Sequence, residues 1–466
     1  MASLKVFFPI AFLVITSFGC RTIPKELIRV SGSPIALIHV RVIDGTGALP
    51  KEDQTIIIEN SRIREIGEAS RISLSGVAQT LDLAGYTVLP GLVGMHDHLF
   101  YALPPGSPSK EMLATFPKLY LASGVTSLRT AGTLNLDAEV KLKKEIDRGR
   151  ELGPHLYLSS PYVDPNPNLA PNPKGWAEGV EQLVPLGINS VKVYTHARSS
   201  ELAAVIQAAH RHGIRVTGHL CAVGFTEAAL LGIDNLEHGV VVDTEFYSRR
   251  QPDICPNQDD FQAELAQMDV RGAEIQGLTQ TLIQHRVAVT STLPVFESFA
   301  GSRTAGLDGR TLSMLSPELQ DAYREHVVKR SEDPYGVWDK LLREEMQFER
   351  EFVKAGGLLL AGTDPTGWGG VIAGFGDQRE LELLVEAGFT VEEAVKISTH
   401  NGALFLGQND RIGTLSEGKQ ADMFVVRGNP AVDIKDIRRT EIVFKDGVGY
   451  DSAAILKTIV AQIGLQ

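Results

Sequence analysis

Short apolar segments recur eight times along the middle of the chain, and stretches with helical periodicity separate them. The apolar segments are residues 87–95, 125–128, 155–159, 190–194, 215–219, 235–238, 287–293 and 358–363. Segments of this length between helical patterns are typical of buried parallel strands. Because strand and helix alternate eight times over roughly 300 residues, the pattern predicts an α/β fold, a (β/α)8 TIM barrel with insertions.

The helix and loop signals between these segments agree with a barrel. A capping triplet at residues 199–201 precedes the helical stretch 202–212, and Gly213 follows it, as an N-cap and a C′ glycine should. Residues 163–175, rich in Pro and Asn, and the largely helical residues 299–350 are interpreted as βα-loop insertions. Such loops stand over the C-terminal face of a barrel, where lids are found.

The two ends of the chain share a β-rich pattern that differs from the middle. Short β-branched runs stand at residues 36–43, 55–58, 421–426 and 441–444. Neither end is long enough to form a stable sheet alone, so a sheet built from both explains the pattern. We therefore predict a composite β-sandwich domain from residues 30–88 and 405–455, around a hydrolase barrel domain at residues 89–404.

Composition narrows the class of partner. The 466 residues are 43% hydrophobic and carry a net charge of -12, with 45 Lys and Arg against 57 Asp and Glu. A chain of this size and composition can bury a large core. Phosphate binding needs a basic surface, so we expect no nucleic-acid partner. A small-molecule substrate is the expected partner, and we expect a homo-oligomer.

The first twenty residues are predicted to be an export signal. Lys5 precedes an apolar run over residues 6–15, which is too short to span a bilayer, and small residues then lead to Cys20. The stretch resembles a bacterial lipoprotein signal cleaved before Cys20, although Ser17 stands where Leu is usual. Two localisations stay open, a periplasmic protein and a membrane-anchored lipoprotein with its lipid on Cys20.

Two cysteines follow the predicted signal, Cys221 and Cys255. They could form one disulfide. Because Cys221 stands two residues from His219, we expect two unpaired thiols instead.

Residues able to bind a divalent cation stand where the predicted strands end. They are His96 and His98 at the first strand, Lys192 in the fourth, His219 at the fifth, His238 at the sixth and Asp364 after the eighth. His96 and His98 are two residues apart, so in a strand both point to the same face. A lone His-x-His is weak evidence, but all six residues fall on the rim that carries barrel active sites.

Lys192 is unexpected in such a cluster. Strand alternation places Lys192 and Tyr194 on the face opposite Val191 and Val193, so the ammonium would point into the barrel beside the cations. There it would be repelled and poorly solvated. If the amine has added CO2, the resulting carbamate is an anion with two oxygens that can bridge two metals. The alternative is a lysine that is paired with a nearby carboxylate.

These residues occur in segments that resemble the amidohydrolase superfamily, in the binuclear branch that includes Xaa-Pro dipeptidases and imidazolonepropionase-like enzymes. The segments are residues 96–98, 124–129, 191–193, 218–220, 236–239, 362–364 and 412–422. The resemblance extends from Pro34 to Asp451. It departs from the family at Arg129-Thr130, where Arg-Asp is common, and at residues 378–380, where many relatives have a histidine before Glu-Leu.

The resemblance implies two divalent metal ions and assigns their ligands. His96, His98 and Asp364 would bind the first ion, and His219 and His238 the second. Carbamylated Lys192 and a hydroxide would lie between them. Zinc is the expected metal, although these ligands also suit manganese, cobalt and iron.

The implied reaction is hydrolysis of an amide bond in a peptide or an N-acyl amino acid. Two adjacent cations lower the pKa of a shared water and polarise the scissile carbonyl. Asp364 is the carboxylate that can both bind a metal and accept the water proton, so it is the predicted catalytic base. Tyr194, Arg129 and His196 are candidate substrate contacts; Tyr194 could equally be a packing residue and His196 an ordinary loop histidine.

Two alternatives compete with this function. The same scaffold could open a cyclic amide or a lactone. An inactive, exported binding lipoprotein would be a different class of protein, but such a module has no need of a bridging lysine. Two bound metal ions per chain favour an enzyme, and one or none favours the binding protein.

Overall fold

The computed structural model describes residues 22–103, 108–303, 308–332, 336–366 and 370–465. The predicted signal at residues 1–20, with Cys20, lies outside these residues. In the part of the chain that is described, no helix combines the length and the apolar composition needed to cross a membrane.

The strands fall into one mixed sheet, two parallel sheets and a small hairpin. They are β1 (Ile28–Val30), β2 (Ile35–Val42), β3 (Lys51–Glu59), β4 (Arg62–Glu68), β5 (Gln79–Asp82), β6 (Tyr86–Pro90), β7 (Leu92–Asp97), β8 (Phe100–Tyr101), β9 (Lys110–Glu111), β10 (Val125–Thr130), β11 (His155–Tyr157), β12 (Ser190–Val193), β13 (Arg215–Gly218), β14 (Asn235–Glu237), β15 (Ala288–Ser291), β16 (Leu359–Ala361), β17 (Met423–Arg427), β18 (Thr440–Lys445) and β19 (Val448–Asp451).

Strands from both ends of the chain form one nine-stranded sheet, which we call the terminal sheet. Its order is β1-β19-β18-β17-β6-β2-β3-β4, with β5 paired to β2. The two ends meet where β17 runs antiparallel to β6, with Val425 opposite Val88. Ile56, Ile442 and other apolar side chains of these strands pack in one buried cluster. Hydrogen bonds join these strands into one sheet, and the sandwich domain stays a prediction.

Eight parallel strands occupy the eight apolar segments of the sequence. They form a three-stranded sheet, β11-β10-β7, and a five-stranded sheet, β12-β13-β14-β15-β16. The first segment divides at Gly91, so that β6 stays in the terminal sheet while β7 begins the parallel strands. The chain therefore has an α/β structure with parallel strands at its centre. In the described residues the strand pairing does not close into one ring.

Isolated contacts link the edges of the two parallel sheets. Ser159 and Ser190 form a single parallel bridge between the β11 and β12 segments, and the Ser160 N–H donates to Ser190 O at 3.0 Å. At the other edges, the Thr363 N–H donates to His96 O, also at 3.0 Å. These contacts keep the ends of β7 and β16 side by side.

Helices follow most of the parallel strands, and further helices lie elsewhere in the chain. They are α1 (Phe116–Ala122), α2 (Leu136–Asp147), α3 (Pro173–Leu183), α4 (Ser199–His210), α5 (Phe225–Leu231), α6 (Gln258–Leu265), α7 (Ala273–Gln284), α8 (Leu293–Phe299), α9 (Gly309–Met314), α10 (Pro317–Ser331), α11 (Val337–Lys354), α12 (Phe375–Glu386), α13 (Val391–Lys396), α14 (Gly402–Phe405) and α15 (Ser452–Lys457). The segment predicted to be a helical insertion contains α9, α10 and α11.

Helix α4 shows how the local sequence sets an element. Glu201 accepts a hydrogen bond from the Arg198 N–H at 3.3 Å, so a carboxylate satisfies a free donor at the helix start. Gly213 follows the helix with φ +66°, a left-handed conformation that suits glycine. The helix ends at His210, two residues before the predicted end.

Cys221 and Cys255 form a disulfide, so the expectation of two unpaired thiols is wrong. Their Cα atoms lie 4.9 Å apart, although 34 positions separate them in sequence. The bond fixes the loop after β13, which carries His219, to the segment before α6. Disulfides persist mainly in oxidising compartments.

Candidate metal centre

His96 and His98 stand at the end of β7 on one face of the strand. Both imidazoles are buried, with side chains 2% and 6% exposed, and their ring centroids lie 5.4 Å apart. His96 Nδ1 lies 2.7 Å from Glu237 Oε2. The ring therefore donates its Nδ1 proton to Glu237, which leaves Nε2 with a free lone pair that can bind a metal.

Asp364 lies among three imidazoles. Its Oδ1 is 3.1 Å from His98 Nε2 and 3.8 Å from His96 Nε2, and its Oδ2 is 4.0 Å from His238 Nδ1. Burial opposes the charge of the carboxylate, but the surrounding imidazoles outweigh burial and hold the pKa of Asp364 far below its usual value. The carboxylate is therefore ionised at neutral pH.

His219 and His238 complete one side of this cluster. His219 follows β13 and His238 follows β14, and their ring centroids are 4.4 Å apart. The centroid of His96 lies 4.4 Å from that of His238. Burial and the neighbouring charge of Lys192 lower the pKa of His219 to about 3 and that of His96 to about 4. Both rings are therefore neutral at physiological pH, which is the form that binds metals.

Two of these residues reach the cluster through an uncommon backbone conformation. His238 has φ +71° and Asp364 has φ +51°. Regular alternation would point His238 away from the face of its neighbour Glu237, so the left-handed turn redirects it. Non-glycine residues in this region cost free energy, and they concentrate at functional sites.

Lys192 lies at the base of the cluster with no hydrogen-bond partner among the described residues. Its side chain is 1% exposed, and Nζ is 3.6 Å from Glu237 Oε1. Burial lowers the pKa of the amine, and the nearby Glu237 carboxylate only partly opposes this effect. The structure thus brings all six predicted ligand residues to one place, and it puts a carboxylate near the lysine, as the alternative interpretation required.

Glu237 is the residue that the sequence analysis did not single out. Besides His96, it accepts a hydrogen bond from Arg129 Nη2 at 2.8 Å and a short one from Thr217 Oγ1. Burial opposes the charge of Glu237, but the nearby charges of Arg129 and Lys192 outweigh burial and hold the pKa of Glu237 well below its usual value. Alternation along β14 was the available signal, because it puts Asn235 and Glu237 on the face that Lys192 shares.

Arg129, which the sequence predicts as a substrate contact, supports this network from below. The side chain is 1% exposed. Its guanidinium donates to Glu237, to Asn235 Oδ1 at 2.8 Å and, in a short bond, to Met95 O. Arg129 therefore holds Glu237 in place, and its role as a substrate contact stays a prediction.

Tyr194 and His196, the other candidate substrate contacts, lie near the rim. The Tyr194 ring centroid is 5.0 Å from His219 and 5.0 Å from Tyr162. Burial raises the pKa of Tyr194 to about 12, so its hydroxyl is a neutral donor. His196 is partly exposed, and its Nδ1 is 3.0 Å from Asp164 Oδ1. Both remain predicted contacts.

The departure at residues 378–380 lies on α12, outside the cluster. Gln378 is 2% exposed. Its amide donates to Ser123 O at 3.0 Å and to Thr440 Oγ1 at 3.1 Å. Gln378 therefore joins α12 to the terminal sheet.

The donor set fits a transition-metal ion. His96, His238 and Asp364 offer ligand atoms that all lie within 4.8 Å of one another. His98 Nδ1 and Lys192 Nζ are buried without a hydrogen-bond partner in the described residues. Neutral imidazoles beside an ionised carboxylate are typical ligands of zinc and related ions.

Residues 87–450 match the Amidohydrolase family. Because the match covers most of the chain, the chain belongs to this family. Curated relatives align over shorter stretches. A dihydroorotase of Pelobacter propionicus is 33% identical over 115 residues, which are 24% of this chain and 26% of that protein. An imidazolonepropionase of Aliivibrio fischeri is 22% identical over 257 residues, 44% of this chain and 62% of that protein.

Solved structures resemble the chain over nearly its whole length. A candidate prolidase from Bifidobacterium longum is 25% identical, with a TM-score of 0.65 and coverage of 91% of this chain and 98% of that one. A Xaa-Pro dipeptidase with methionine bound in its active site is 21% identical, with a TM-score of 0.66 and coverage of 90% and 100%. The structural neighbours are thus amidohydrolases of the prolidase type.

Proposed function

We propose that the chain is a metal-dependent hydrolase that cleaves the amide bond of a peptide or an N-acyl amino acid. Membership of the amidohydrolase family supports hydrolysis of an amide bond. The observation that carries the metal dependence is the group formed by His96, His238 and Asp364, whose ligand atoms lie within 4.8 Å of one another. Prolidase-like structural neighbours favour a dipeptide or a related substrate.

The six clustered residues would hold two divalent ions, with zinc as the expected metal. His96, His98 and Asp364 would bind one ion, His219 and His238 the other, and Lys192 would bridge them. When bound, the ions supply Lewis acidity at the scissile carbonyl and acidify water. Glu237 fixes the tautomer of His96 through Nδ1, which is the usual role of a carboxylate behind a metal-binding imidazole.

Lys192 would serve as a carbamate. The buried ammonium first loses one proton, and the neutral amine then adds to CO2 and releases a second proton. A buried cation is thereby replaced by an anion with two oxygens. Two features support this step: Nζ has no hydrogen-bond partner in the described residues, and burial lowers the pKa of the amine, so a larger fraction is neutral and nucleophilic.

Asp364 would carry the proton from the attacking water to the leaving nitrogen. Its two oxygens face different partners, Oδ1 toward His98 and Oδ2 toward His238. One oxygen can therefore ligate while the other accepts the proton. The low pKa of Asp364 keeps it in the acceptor form over the working range of pH.

Three further features belong to this proposal. The two parallel sheets would be the arcs of one (β/α)8 barrel, which the contacts of Ser159 with Ser190 and of Thr363 with His96 support.

The protein would be exported, a localisation that the Cys221–Cys255 disulfide supports. Loss of membrane retention in Cys20→Ala would identify the lipid anchor. A homo-oligomer also remains predicted.

A panel of dipeptides, N-acyl amino acids, cyclic amides and lactones tests the function. The purified chain is stripped with a chelator and assayed before and after zinc is restored. We expect hydrolysis of linear amides that depends on zinc. Ring-opening activity alone would favour the alternative substrate class, and inactivity toward every class in a zinc-loaded sample would favour the binding protein.

A further inference from the structure

A second group of metal-ligand side chains lies away from the cluster described above. His155 begins β11, whereas His219 and His238 follow the ends of their strands, so His155 stands at the opposite end of the parallel strands. Asp422 immediately precedes β17, and Asp446 lies in the turn between β18 and β19. Ligand atoms of these three residues lie within 4.8 Å of one another. The proposed hydrolase reaction uses none of them.

The distances in this group are those of ligands around an ion. His155 Nε2 is 3.3 Å from Asp422 Oδ2 and 3.5 Å from Asp446 Oδ1. Hydrogen bonds between nitrogen and oxygen range from about 2.7 to 3.2 Å and are most frequent near about 2.9 to 3.0 Å. Two ligand atoms that each lie about 2.1 Å from a tetrahedral zinc are about 3.4 Å apart.

Asp422 supplies an independent sign of a missing partner. Its side chain is 1% exposed. Oδ1 accepts the Asp446 N–H at 2.8 Å, but Oδ2 has no hydrogen-bond partner within the described part of the chain. A buried, charged oxygen that faces an imidazole at 3.3 Å without a hydrogen bond is incompletely satisfied. A cation between Asp422 and His155 would satisfy it.

Gln420 and Lys445 are polar neighbours of this group. Gln420 Nε2 lies 3.3 Å from His155 Nε2 and donates a short hydrogen bond to Asp446 Oδ1. Lys445 Nζ, 3.1 Å from Asp446 Oδ2, is the cationic group beside the two carboxylates. The two carboxylates outnumber this ammonium. Burial lowers the pKa of His155, but the two nearby carboxylates outweigh burial and raise it, so an ion would displace the proton of the imidazole. A cavity of about 240 Å³, lined in part by His155 and Gln420, gives access to water.

We propose that His155, Asp422 and Asp446 bind a divalent ion of the zinc class, with water from the adjoining cavity completing the coordination. One imidazole and two carboxylates are suitable ligands for such an ion. The ion would fasten β11 to the terminal sheet, because its ligands come from both.

Zinc content of the full chain tests the site. Wild type, His155→Gln and Asp446→Asn are saturated with zinc, dialysed and analysed by mass spectrometry for metal per chain. His210→Gln is the matched control, because His210 Nε2 pairs with Asp234 Oδ2 at an ordinary 2.8 Å. We expect each site variant to hold one zinc fewer than both wild type and the control. Equal zinc content in all four proteins would overturn the proposal.

A variant with a higher expected affinity for zinc separates loss of the site from misfolding, because a misfolded protein would not bind zinc more tightly. Lys445→Gln removes the ammonium beside Asp446, so zinc should bind this site about five- to tenfold more tightly in competition with a chelator. Diffraction at the zinc absorption edge should then show a peak between the three side chains. If no peak is present there, the three residues form only an ion-pair network and the site does not exist.

Discussion

Lys192 Nζ and Glu237 Oε1 lie 3.6 Å apart in the buried centre of the molecule. The Glu237 carboxylate already accepts hydrogen bonds from Arg129, Thr217 and His96. One carboxylate thus balances the charge of Arg129 and sets the tautomer of a predicted metal ligand, while the lysine beside it is left without a hydrogen bond in the described residues. The carbamate proposal and the network below the metal centre both depend on this arrangement.

Replacement of Glu237 should destabilise the protein strongly. Glu237→Gln leaves the buried Arg129 guanidinium without its counter-charge, and breaking a buried pair in this way costs about 3 to 5 kcal/mol. Urea unfolding followed by circular dichroism measures the difference.

Glu349→Gln is the matched control for that experiment. Glu349 is also fully buried, but burial raises its pKa well above the usual value and so favours the neutral form that an amide resembles. We expect a change below about 1 kcal/mol for this variant. Equal losses in the two variants would show that the charge of Glu237 has no special role.

Asp364→Asn should separate proton transfer from metal binding. The amide can still ligate weakly but cannot accept a proton, so the hydrolysis rate should fall about 100-fold or more while at least one metal ion stays bound. The rate is measured together with the metal content of the same sample. A variant that keeps both ions and more than about a tenth of the wild-type rate would exclude Asp364 as the base.

The sequence predicted the parallel strands and the candidate ligands because both depend on short-range patterns. His96, His98 and Lys192 follow from strand alternation, and the eight apolar segments correspond to strands. The left-handed conformations of His238 and Asp364 could not be read from the pattern, because nothing in the local sequence requires a positive φ there. Their position at the ends of predicted strands was enough to identify them as candidate ligands. It did not predict their left-handed backbone conformation.

The features that were missed depend on tertiary structure. Pairing of Cys221 with Cys255 requires the path of the intervening chain, which the proximity of Cys221 to His219 does not reveal. Arg129 was predicted as a substrate contact from its place in the departure at residues 129–130, and only the structure shows its NH groups directed to Glu237 and Asn235. Glu237 was not identified because the adjacent His238 was assigned as the metal ligand at this strand end.

The disulfide should contribute to stability. In the chain-entropy description, closing a loop of this length stabilises the folded state by about 4 kcal/mol. Cys255→Ser should therefore lower the melting temperature in scanning calorimetry. A reductant should lower the melting temperature of wild type but leave that of the variant unchanged. No effect of reductant on wild type would contradict the bond as a stabilising link.

Because several buried carboxyl groups have raised pKa values, we predict that the stability of the folded chain falls as pH rises. Burial raises the pKa of Glu345 to about 8, and its neighbours Glu349 and Glu380 have raised pKa values as well. Because the folded pKa exceeds the unfolded one, the stabilising effect is complete below the ordinary carboxyl pKa of about 4.3 and is lost as pH rises through about 8. The melting temperature of Glu345→Gln should decline less than that of wild type between these limits.

Glu325→Gln, at an exposed position of α10, is the control for this pH series. Its melting temperature should follow the wild-type curve. If Glu345→Gln also follows that curve, protonation of Glu345 does not contribute to stability in this range.

The hydrolysis rate of Lys192→Ala, measured with and without a short carboxylate, tests the account most directly. The variant lacks the bridging group, so we predict a loss of activity of about 100-fold or more, with partial recovery of rate and zinc content when acetate or propionate fills the vacated space. Metal-stripped wild type should likewise require bicarbonate during reconstitution with zinc. No rescue by any carboxylate, together with no effect of bicarbonate on wild type, would contradict a carbamate bridge at Lys192.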